Sequence, residues 1–403
     1  MKQSGIPWIG EIPISWEVMP HKRVMHKIKE IQEHYNGEDI LSLTMRGVIV
    51  RDLDAGGKMP TSFDGYQKVY PNNLLQCLFD IDVTPRCVGL IKNEGLTSPA
   101  YSQFEMHSNA YAPYYDYLLR YMDDRKTLLH LSKNLRSSLT ETDFGAIDTC
   151  VPSIIEQQKI ANFLDRKCTE IDEMIALQEK IVEELKAYKQ SVITEAVTKG
   201  LNPDVPMKDS GIEWIGEIPE HWRITTIGRL FRVSAGGDAK WDIYSDKQDS
   251  EHPFPVYTNT LDKNQTYAYT SIPVYKGDTI TVTGRGDIGR AFYRKTPFDA
   301  IIRLLVLEKR YSLDCRYFAY FINNVIHFFT NSAAIGQLSA VQVVPYNLCH
   351  PSIEEQTDIA DYLDTKCTEI DNLISIKLSK IDSLKEYKKS IIYEYVTGKK
   401  EVI

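Results

Sequence analysis

Apolar residues recur in two long stretches of the chain at alternating steps of four and three positions, the spacing of a coiled-coil seam. Both stretches are interrupted at matching places, the first at Gln178 and Lys189 and the second at Lys377 and Lys388. The pattern predicts two long helices that pack on each other antiparallel, although burial in two separate cores would also satisfy it. The seam positions are Leu164, Ile171, Ile175, Val182, Leu185 and Val192 in the first stretch, and Leu363, Ile370, Ile374, Ile381, Leu384 and Ile391 in the second.

The start of each predicted helix carries a capping-box pattern just after a proline. Ser153 is followed by Glu156, and Ser352 is followed by Glu355. The serine hydroxyl is expected to accept from the third helical N–H while the glutamate reaches back to the serine backbone. The CTEID segments further on could each open a fresh helix, so a break near residue 166 stays open.

The chain repeats itself once. MKQSGIPWIGEIPISW at 1–16 returns as MKDSGIEWIGEIPEHW at 207–222, and 16 of 23 positions are identical between 150–172 and 349–371. A solenoid requires at least three short units, which does not fit two copies of about 200 residues. The tryptophans of the start motif are interpreted as packing groups. The repeat predicts four parts: globular domain 1–152, helical spacer 153–200, linker and globular domain 201–350, and helical spacer 351–403.

The segments between the repeated blocks show little similarity to each other and resemble mixed α/β folds. Strands are predicted at Ile40–Leu43, Val48–Val50, Val88–Ile91, Thr279–Val282 and Leu304–Leu307, and short helices at Tyr114–Met122 and Cys315–Phe329.

Composition is that of an ordinary globular protein, with 43% apolar residues in a chain of 403. A net charge of −8 weighs mildly against nucleic-acid binding, although 201–350 is balanced, with 16 basic and 16 acidic residues. There is no apolar run of about 18 residues and no signal-peptide pattern, so a cytoplasmic protein is expected. The seven scattered cysteines do not indicate a disulfide framework.

Motifs for catalysis are missing from the sequence. It has no phosphate-binding loop, no metalloprotease motif and no nucleophile elbow. GRGDIG at 284–289 has the letter spacing of a dinucleotide-binding loop, but the residues after it resemble a second strand. A β-hairpin is therefore predicted there. We expect no catalytic residue, no cofactor and no metal in this chain.

Basic and amide side chains on Gly-rich loops are the candidate DNA-binding residues. Arginine suits guanine edges, glutamine suits adenine, and serine or backbone N–H groups suit phosphates. Simple solvation of loop residues is the alternative for each of them. The candidates are Arg46, Arg51, Lys58 and Lys68 in the first variable segment, Arg285, Arg290 and Arg294 in the second, and Arg136, Ser137 and Gln337 just before the two helices.

The repeated motifs carry a family resemblance over nearly the whole chain. W-x-G-x-I-P-x-x-W, P-x-x-E-Q, I-A-x-(F/Y)-L-D, C-T-E-I-D and A-V-T-K-G-L resemble the specificity subunits of type I restriction–modification systems, as do TMRGVIVRD and SPAY in the first variable segment. The resemblance implies two α/β (α+β) target recognition domains, separated by two long antiparallel coiled-coil helices with a pseudo-two-fold internal repeat.

The resemblance also implies a function. Each recognition domain would read one half of a bipartite, asymmetric double-stranded DNA site, and the helices would set the gap and dock two methyltransferase subunits. S-adenosylmethionine would be bound by those partners, motor–nuclease subunits would then join, and no membrane is involved. The sequence leaves two alternatives open: a non-enzymatic coiled-coil scaffold and a solitary DNA-binding regulator.

Overall fold

The structure is a computed structural model, and it describes residues 1–55, 60–132, 137–259, 266–328 and 336–402. Its α-helices are α1 (Ala112–Asp124), α2 (Thr127–Leu131), α3 (Glu141–Ala146), α4 (Ile154–Lys199), α5 (Ile227–Leu230), α6 (Cys315–Val325), α7 (Ala340–Val343) and α8 (Ile353–Val396). Its strands are β1 (Lys2–Gln3), β2 (Glu11–Ile12), β3 (Glu17–Pro20), β4 (Met25–Ile28), β5 (Leu41–Thr44), β6 (Gly47–Val50), β7 (Gln67–Val69), β8 (Leu74–Gln76), β9 (Val88–Leu90), β10 (Gly95–Thr97), β11 (Ser102–Met106), β12 (Asp148–Val151), β13 (Met207–Asp209), β14 (Glu217–Pro219), β15 (Arg223–Thr226), β16 (Phe231–Ala235), β17 (Tyr244–Ser245), β18 (Phe254–Tyr257), β19 (Thr266–Thr270), β20 (Thr279–Val282), β21 (Ala291–Arg294), β22 (Asp299–Ala300), β23 (Leu305–Lys309) and β24 (Asn347–His350).

The chain forms two compact units. Unit 1 is Met1–Gln178 with Ser379–Ile403, and unit 2 is Glu179–Leu378. Each unit therefore combines one variable segment with part of α4 and part of α8. The predicted division into four parts along the sequence stays a prediction.

Unit 1 is built on an antiparallel sheet with the strand order β4-β11-β8-β9. Helix α1 packs on this sheet, and β3 pairs with β12, which leads directly into α4. A two-stranded pair β5–β6 and a second pair β7–β10 stand beside the sheet. The start motif supplies the short pair β1–β2. The chain thus enters and leaves the variable segment along paired strands.

Unit 2 repeats this plan with different residues. Its main sheet has the strand order β16-β23-β20-β21, all antiparallel, and α6 packs on it. β15 pairs with β24, and β13 pairs with β14, as their counterparts do in unit 1. The additional sheet β17-β19-β18-β22 is where unit 2 departs from unit 1. The two segments that show little similarity in sequence therefore share one sheet topology.

The short elements predicted in the variable segments are present. All five predicted strands occur, within one or two residues of the predicted bounds, and the two short helices are α1 and α6. The GRGDIG segment connects β20 to β21, which pair antiparallel, so the hairpin prediction is confirmed over the dinucleotide-binding alternative.

The helices α4 and α8 are continuous through the predicted seams. They hold 46 and 44 residues, and α4 is about 70 Å long at 1.5 Å per residue. The break considered near residue 166 does not occur, because CTEID lies inside the helix in both copies. The twelve predicted seam residues are all buried or half-buried, and most of their helical neighbours are exposed.

The two helices run antiparallel within each unit. In unit 1, Lys388 near the end of α8 lies 2.6 Å from Asp172 in the first half of α4. In unit 2, Lys189 of α4 lies 2.7 Å from Asp371 of α8. The predicted fold class, α/β domains in two copies with two long antiparallel helices, is confirmed.

The core of each unit continues from its sheet onto the long helices. In unit 1 the hydroxyl of the buried Tyr114 donates to the Val396 carbonyl at 2.9 Å, and in unit 2 Tyr317 donates to the Val197 carbonyl at 2.9 Å. Burial raises the pKa of both phenols, so they stay protonated donors. A second pair of bonds repeats the same link: Tyr117 to Asp165 at 2.8 Å and Tyr320 to Asp364 at 2.8 Å.

The start of α4 is capped and tied to the start motif. The Glu156 N–H donates to the Ser153 hydroxyl at 3.3 Å, as the capping box predicts. The Glu156 carboxylate accepts the indole N–H of Trp16 at 2.8 Å in place of the predicted return to the serine. Trp16 is 1% exposed, which agrees with the structural interpretation of the start motif.

All seven cysteines lie within the described residues, where they are free and buried. Burial raises the pKa of their thiols, for Cys150, Cys315 and Cys349 to about 12, so they remain protonated packing groups. In the part of the chain that the structure describes, no helix has the length and apolar character to cross a membrane.

Candidate nucleic-acid interface

The β20–β21 turn of unit 2 is held against the segment that precedes α7. The Gly284 N–H donates to Asn259 Oδ1 at 2.7 Å, and the Leu338 N–H donates to the Gly284 carbonyl at 2.9 Å. A Cβ at position 284 would lie 2.9 Å from the Leu338 carbonyl oxygen, closer than real Cβ atoms approach. Glycine is therefore required here, and it fixes where the next residue, Arg285, begins.

Arg285 and Gln337, two of the predicted DNA-binding residues, come together at this turn. Arg285 Nη2 donates to Gln337 Oε1 at 3.1 Å. Arg285 is exposed and Gln337 is half-buried. The two positions are 52 residues apart in the sequence. The sequence therefore predicted each residue separately, and only the structure shows that they are in contact.

Two further residues of this site carry left-handed backbone. Ile302 has φ 52° and Arg303 has φ 59°, which side-chain-bearing residues rarely adopt. Asn259 Nδ2 donates to the Ile302 carbonyl at 2.6 Å and so supports this conformation. Such strain costs about 1–3 kcal/mol per residue and clusters at functional sites. The sequence contained no signal for Ile302 or Arg303, and the role of Asn259 depends on contacts to residues far along the chain.

The other two predicted arginines of this turn have different surroundings. Arg290 is exposed and is paired with Asp287 at 3.2 Å, so its charge is compensated locally. Arg294 was grouped with the basic residues of Gly-rich loops, but the structure places it in the strand that follows the turn. It lies at the end of β21 and is 9% exposed, with its guanidinium 3.7 Å from the Tyr257 ring centroid and a hydrogen bond to Thr281 Oγ1 at 2.9 Å. Burial lowers its pKa to about 10, and the side chain serves packing.

Unit 1 contains the counterpart of this turn between β8 and β9. The Leu139 N–H donates to the Leu78 carbonyl at 2.8 Å, as Leu338 does to Gly284 in unit 2. Phe79 follows Leu78 as Arg285 follows Gly284, and Phe79 is 38% exposed. Its ring lies 6.2 Å from that of Tyr101. Phe79 is not among the predicted DNA-binding residues, because a phenylalanine in a loop carries no charge that would single it out in the sequence.

Ser137 belongs to the same junction in unit 1. Its carbonyl accepts from the Ile81 N–H at 3.0 Å, and its φ is 49°. Asp80, beside Phe79, has φ 46°. Left-handed backbone at non-glycine residues thus occurs at this junction in both units. Lys58 and Arg136, also predicted contacts, lie outside the described residues.

The remaining candidates of unit 1 lie on its strand pairs. Arg46 is exposed at the tip of the β5–β6 hairpin, beside the exposed Met45. Arg51 follows β6 and its N–H donates to the Ile40 carbonyl at 2.7 Å. Lys68 lies in β7 and is paired with Glu30 at 2.6 Å. The hydrogen bond to Glu30 raises the pKa of Lys68, so it stays charged but is locally compensated.

The described residues contain no group of three or more His, Cys, Asp or Glu placed to hold a metal ion. What the two junctions present is different: exposed side chains on backbone that is fixed by hydrogen bonds. A guanidinium beside an amide suits the edge of a base, and an exposed aromatic ring suits stacking or contact with a thymine methyl group.

The chain is similar in sequence to several known proteins. Residues 219–397 match the sequence model described as "Type I restriction modification DNA specificity domain". A putative type I restriction enzyme MjaX specificity subunit from Methanocaldococcus jannaschii is 25% identical over 308 residues, which cover 73% of this chain and 69% of that protein. A putative type I specificity subunit S.MpnORF89P from Mycoplasma pneumoniae is 24% identical over 42% of this chain and 51% of that protein.

Solved structures share the fold. A chain from work on complex assembly and conformational transition of the type I R-M system matches with a TM-score of 0.75 at 13% identity, covering 96% of this chain and 98% of that one. The HsdS subunit from Thermoanaerobacter tengcongensis matches with a TM-score of 0.57 at 15% identity, covering 99% of this chain and all of that one.

Proposed function

We propose that this chain is a specificity subunit of a type I restriction–modification system, and that each unit reads one half of a bipartite, asymmetric DNA site. The observation that carries the proposal is the repeated junction. Both units hold a turn of the main sheet against the segment before a short helix, yet they present Arg285 in one unit and Phe79 in the other. One frame with different side chains is what two readers of different sequences require.

The long helices set the number of unread base pairs between the two halves. Their uninterrupted course through both units supports this role, since a continuous helix has a defined rise per residue. An insertion of about four residues adds about 6 Å of helix, so the unread gap lengthens by one or two base pairs. An unchanged gap would contradict the role of the helices as a spacer.

The same helices dock two methyltransferase subunits, one on each unit. Support comes from large apolar side chains that are exposed on α4 and α8 at positions matched by the internal repeat. Two of them in each unit are three residues apart on one helix and so share a face, and neighbouring exposed apolar groups mark interaction surfaces. These side chains are Met174, Leu177 and Tyr387 in unit 1, and Leu373, Ile376 and Tyr188 in unit 2, each 43–62% exposed.

The chain itself is non-catalytic in this proposal and holds no cofactor. S-adenosylmethionine binds to the methyltransferase partners, and motor–nuclease subunits join the assembly in the cytoplasm. With a net charge of −8, the isolated chain has weak affinity for DNA, and its partners complete the positive surface. Nanomolar sequence-specific binding by the isolated chain at physiological salt would contradict this point.

The decisive experiment maps adenine methylation at single-molecule resolution in cells that express the chain with its neighbouring methyltransferase, and again after deletion of this gene. A bipartite motif that disappears on deletion is expected. Unchanged methylation would overturn the proposal and favour a scaffold or a regulator.

An exchange of one variable segment tests whether each unit recognises its half-site independently of the other. Replacing 17–149 with the variable segment of another specificity subunit is expected to change one half-site and leave the other intact. A change in both halves, or in neither, would contradict the assignment of one half-site to each unit.

A further inference from the structure

Arg285 lies in a turn whose backbone is held by hydrogen bonds at the preceding residue. Gly284 is fixed by Asn259 Oδ1 on one side and by the Leu338 N–H on the other, at 2.7 and 2.9 Å. On the far side of Arg285, Gly286 has φ 71°, which turns the chain sharply away. The side chain therefore projects from a defined point of unit 2 into solvent.

The guanidinium is oriented by a neutral partner. Gln337 Oε1 accepts one N–H from Arg285 Nη2 at 3.1 Å. Arginine carries five N–H donors in a rigid fork, so this bond leaves enough donors for a bidentate contact. The charge of Arg285 is not compensated by Gln337. In the same turn, Arg290 is paired with Asp287, and at the end of β21 Arg294 lies buried against the Tyr257 ring.

A fixed fork of N–H donors matches one base edge in DNA. Guanine presents O6 and N7 side by side in the major groove, and arginine bound to both is the commonest specific contact. A phosphate also accepts from arginine, but it needs no orienting partner and carries no sequence information. The bond to Gln337 restricts the conformations of the Arg285 side chain, and a phosphate contact would not need this restriction.

We propose that Arg285 reads a guanine in the half-site bound by unit 2, and that Gln337 is the positioning residue that holds its guanidinium for this contact. The inference rests on the proposed function and deepens it by assigning one base to one side chain. The matching position of unit 1 is Phe79, which has no donors, so this guanine contact belongs to one half-site only.

The test uses the complete methyltransferase complex with wild-type, Arg285→Ala and Arg310→Gln chains. In cells, Arg285→Ala is expected to relax one guanine position in the half-site of unit 2 and leave the other half-site unchanged. Arg310→Gln removes an exposed positive charge from unit 2 outside this turn and is the control, with no change of motif expected. A wild-type half-site without guanine would overturn the proposal, as would an unchanged motif with Arg285→Ala.

A binding cycle covers the case in which Arg285→Ala abolishes methylation. Purified complexes are titrated with duplexes that carry 7-deazaguanine, which lacks N7, at each guanine of the half-site in turn. For wild type, one substitution is expected to weaken binding about tenfold, the scale of one bidentate contact. For Arg285→Ala the same substitution should change binding less than about twofold, since the contact is already gone. Equal losses in both complexes would overturn the proposal, and so would a uniform loss with a reduced salt slope, which marks a phosphate contact.

The role of Gln337 is tested by Gln337→Leu and Gln337→Glu. Gln337→Leu removes the acceptor and is expected to relax the same guanine position. Gln337→Glu keeps an oxygen that accepts from Arg285 Nη2, so the preference for guanine over other bases is expected to remain. If the two variants discriminate equally well, Gln337 does not position Arg285. Loss of all methylation on deletion of the gene, with no effect of any of these variants, separates failure of this inference from failure of the proposed function.

Discussion

The ammonium group of Lys388 lies 2.6 Å from the carboxylate of Asp172, and the internal repeat reproduces this pair as Lys189 with Asp371 at 2.7 Å. Both lysines occupy positions where the apolar seam is interrupted. The pairs therefore explain one of the two interruptions in each helix: the lysine stem lies in the seam while its charge reaches the facing helix. Each pair forms within one unit, and each fixes how α4 and α8 are aligned there.

Asp172→Asn should lower the free energy of unfolding by about 0.5–1 kcal/mol, because these side chains are partly exposed and solvent screens the pair. Asp371→Asn should cost a similar amount, and the double variant should show the sum, since the two pairs share no residue. Urea titrations at low and at 0.5 M salt check this, with a smaller difference expected at high salt. Glu183→Gln breaks an exposed pair with Lys186 one turn away on α4 and is the control, with a cost of about 0.3 kcal/mol or less. Equal costs for all three variants would contradict an alignment role.

Trp16→Phe should loosen the start of α4 more than Trp222→Phe loosens the start of α8. Each indole N–H donates to a glutamate, Glu156 and Glu355 respectively, and losing a hydrogen bond to a charged acceptor costs about 1–3 kcal/mol. Glu355 keeps a second partner in His221 at 2.9 Å. Amide hydrogen exchange in the first turn of each helix measures the difference. Faster exchange at α8 than at α4 would show that the histidine does not compensate.

Stability should fall in mild acid because of His21. The side chain is fully buried and stacked on Phe144, and burial lowers its pKa from 6.5 to about 4. Between these values the unfolded chain binds a proton that the folded chain does not, so stability decreases as the pH falls from about 6.5 to about 4. The full effect is about 3 kcal/mol.

His21→Gln isolates this contribution from that of the many carboxylates. Glutamine can still donate to the Phe144 carbonyl, which His21 Nδ1 contacts at 3.3 Å, but it does not titrate. Unfolding free energies of the two proteins, measured from pH 7.5 to pH 4, should converge as the pH falls. A constant difference over this range would show that the pKa of His21 is the same in the folded and unfolded states.

Gly284→Ala should impair recognition of the DNA half-site by unit 2 without unfolding the protein. The added Cβ would lie 2.9 Å from the Leu338 carbonyl, so the junction has to shift. Gly237→Ala is the matched control, because a Cβ there meets nothing within 4 Å. Methylation of the bipartite site should fall at least tenfold for Gly284→Ala, on the scale of one lost base contact, and stay near wild type for the control. Equal methylation by both variants would show that the junction tolerates the shift.

The sequence by itself determined the two long helices, whereas the structure decided that they pack antiparallel instead of entering two separate cores. Their seam depends on apolar spacing along one chain, and the capping serines depend on neighbours three residues away, so local pattern was sufficient. The internal repeat likewise placed the start motif and the helices in two copies. It also supplied the family resemblance, because these repeated blocks carry its motifs.

Only the tertiary structure decided what the two variable segments have in common. Their sheets share one strand order although their sequences share little, since a strand needs only apolar residues on its buried face and many sequences provide them. The candidate DNA-binding site of unit 2 was likewise decided by tertiary contacts. Arg285 meets Gln337 because Leu338 bonds to Gly284, and Arg294 is buried because β21 places it over Tyr257. Such contacts join positions distant in sequence, and no periodicity within one segment encodes them.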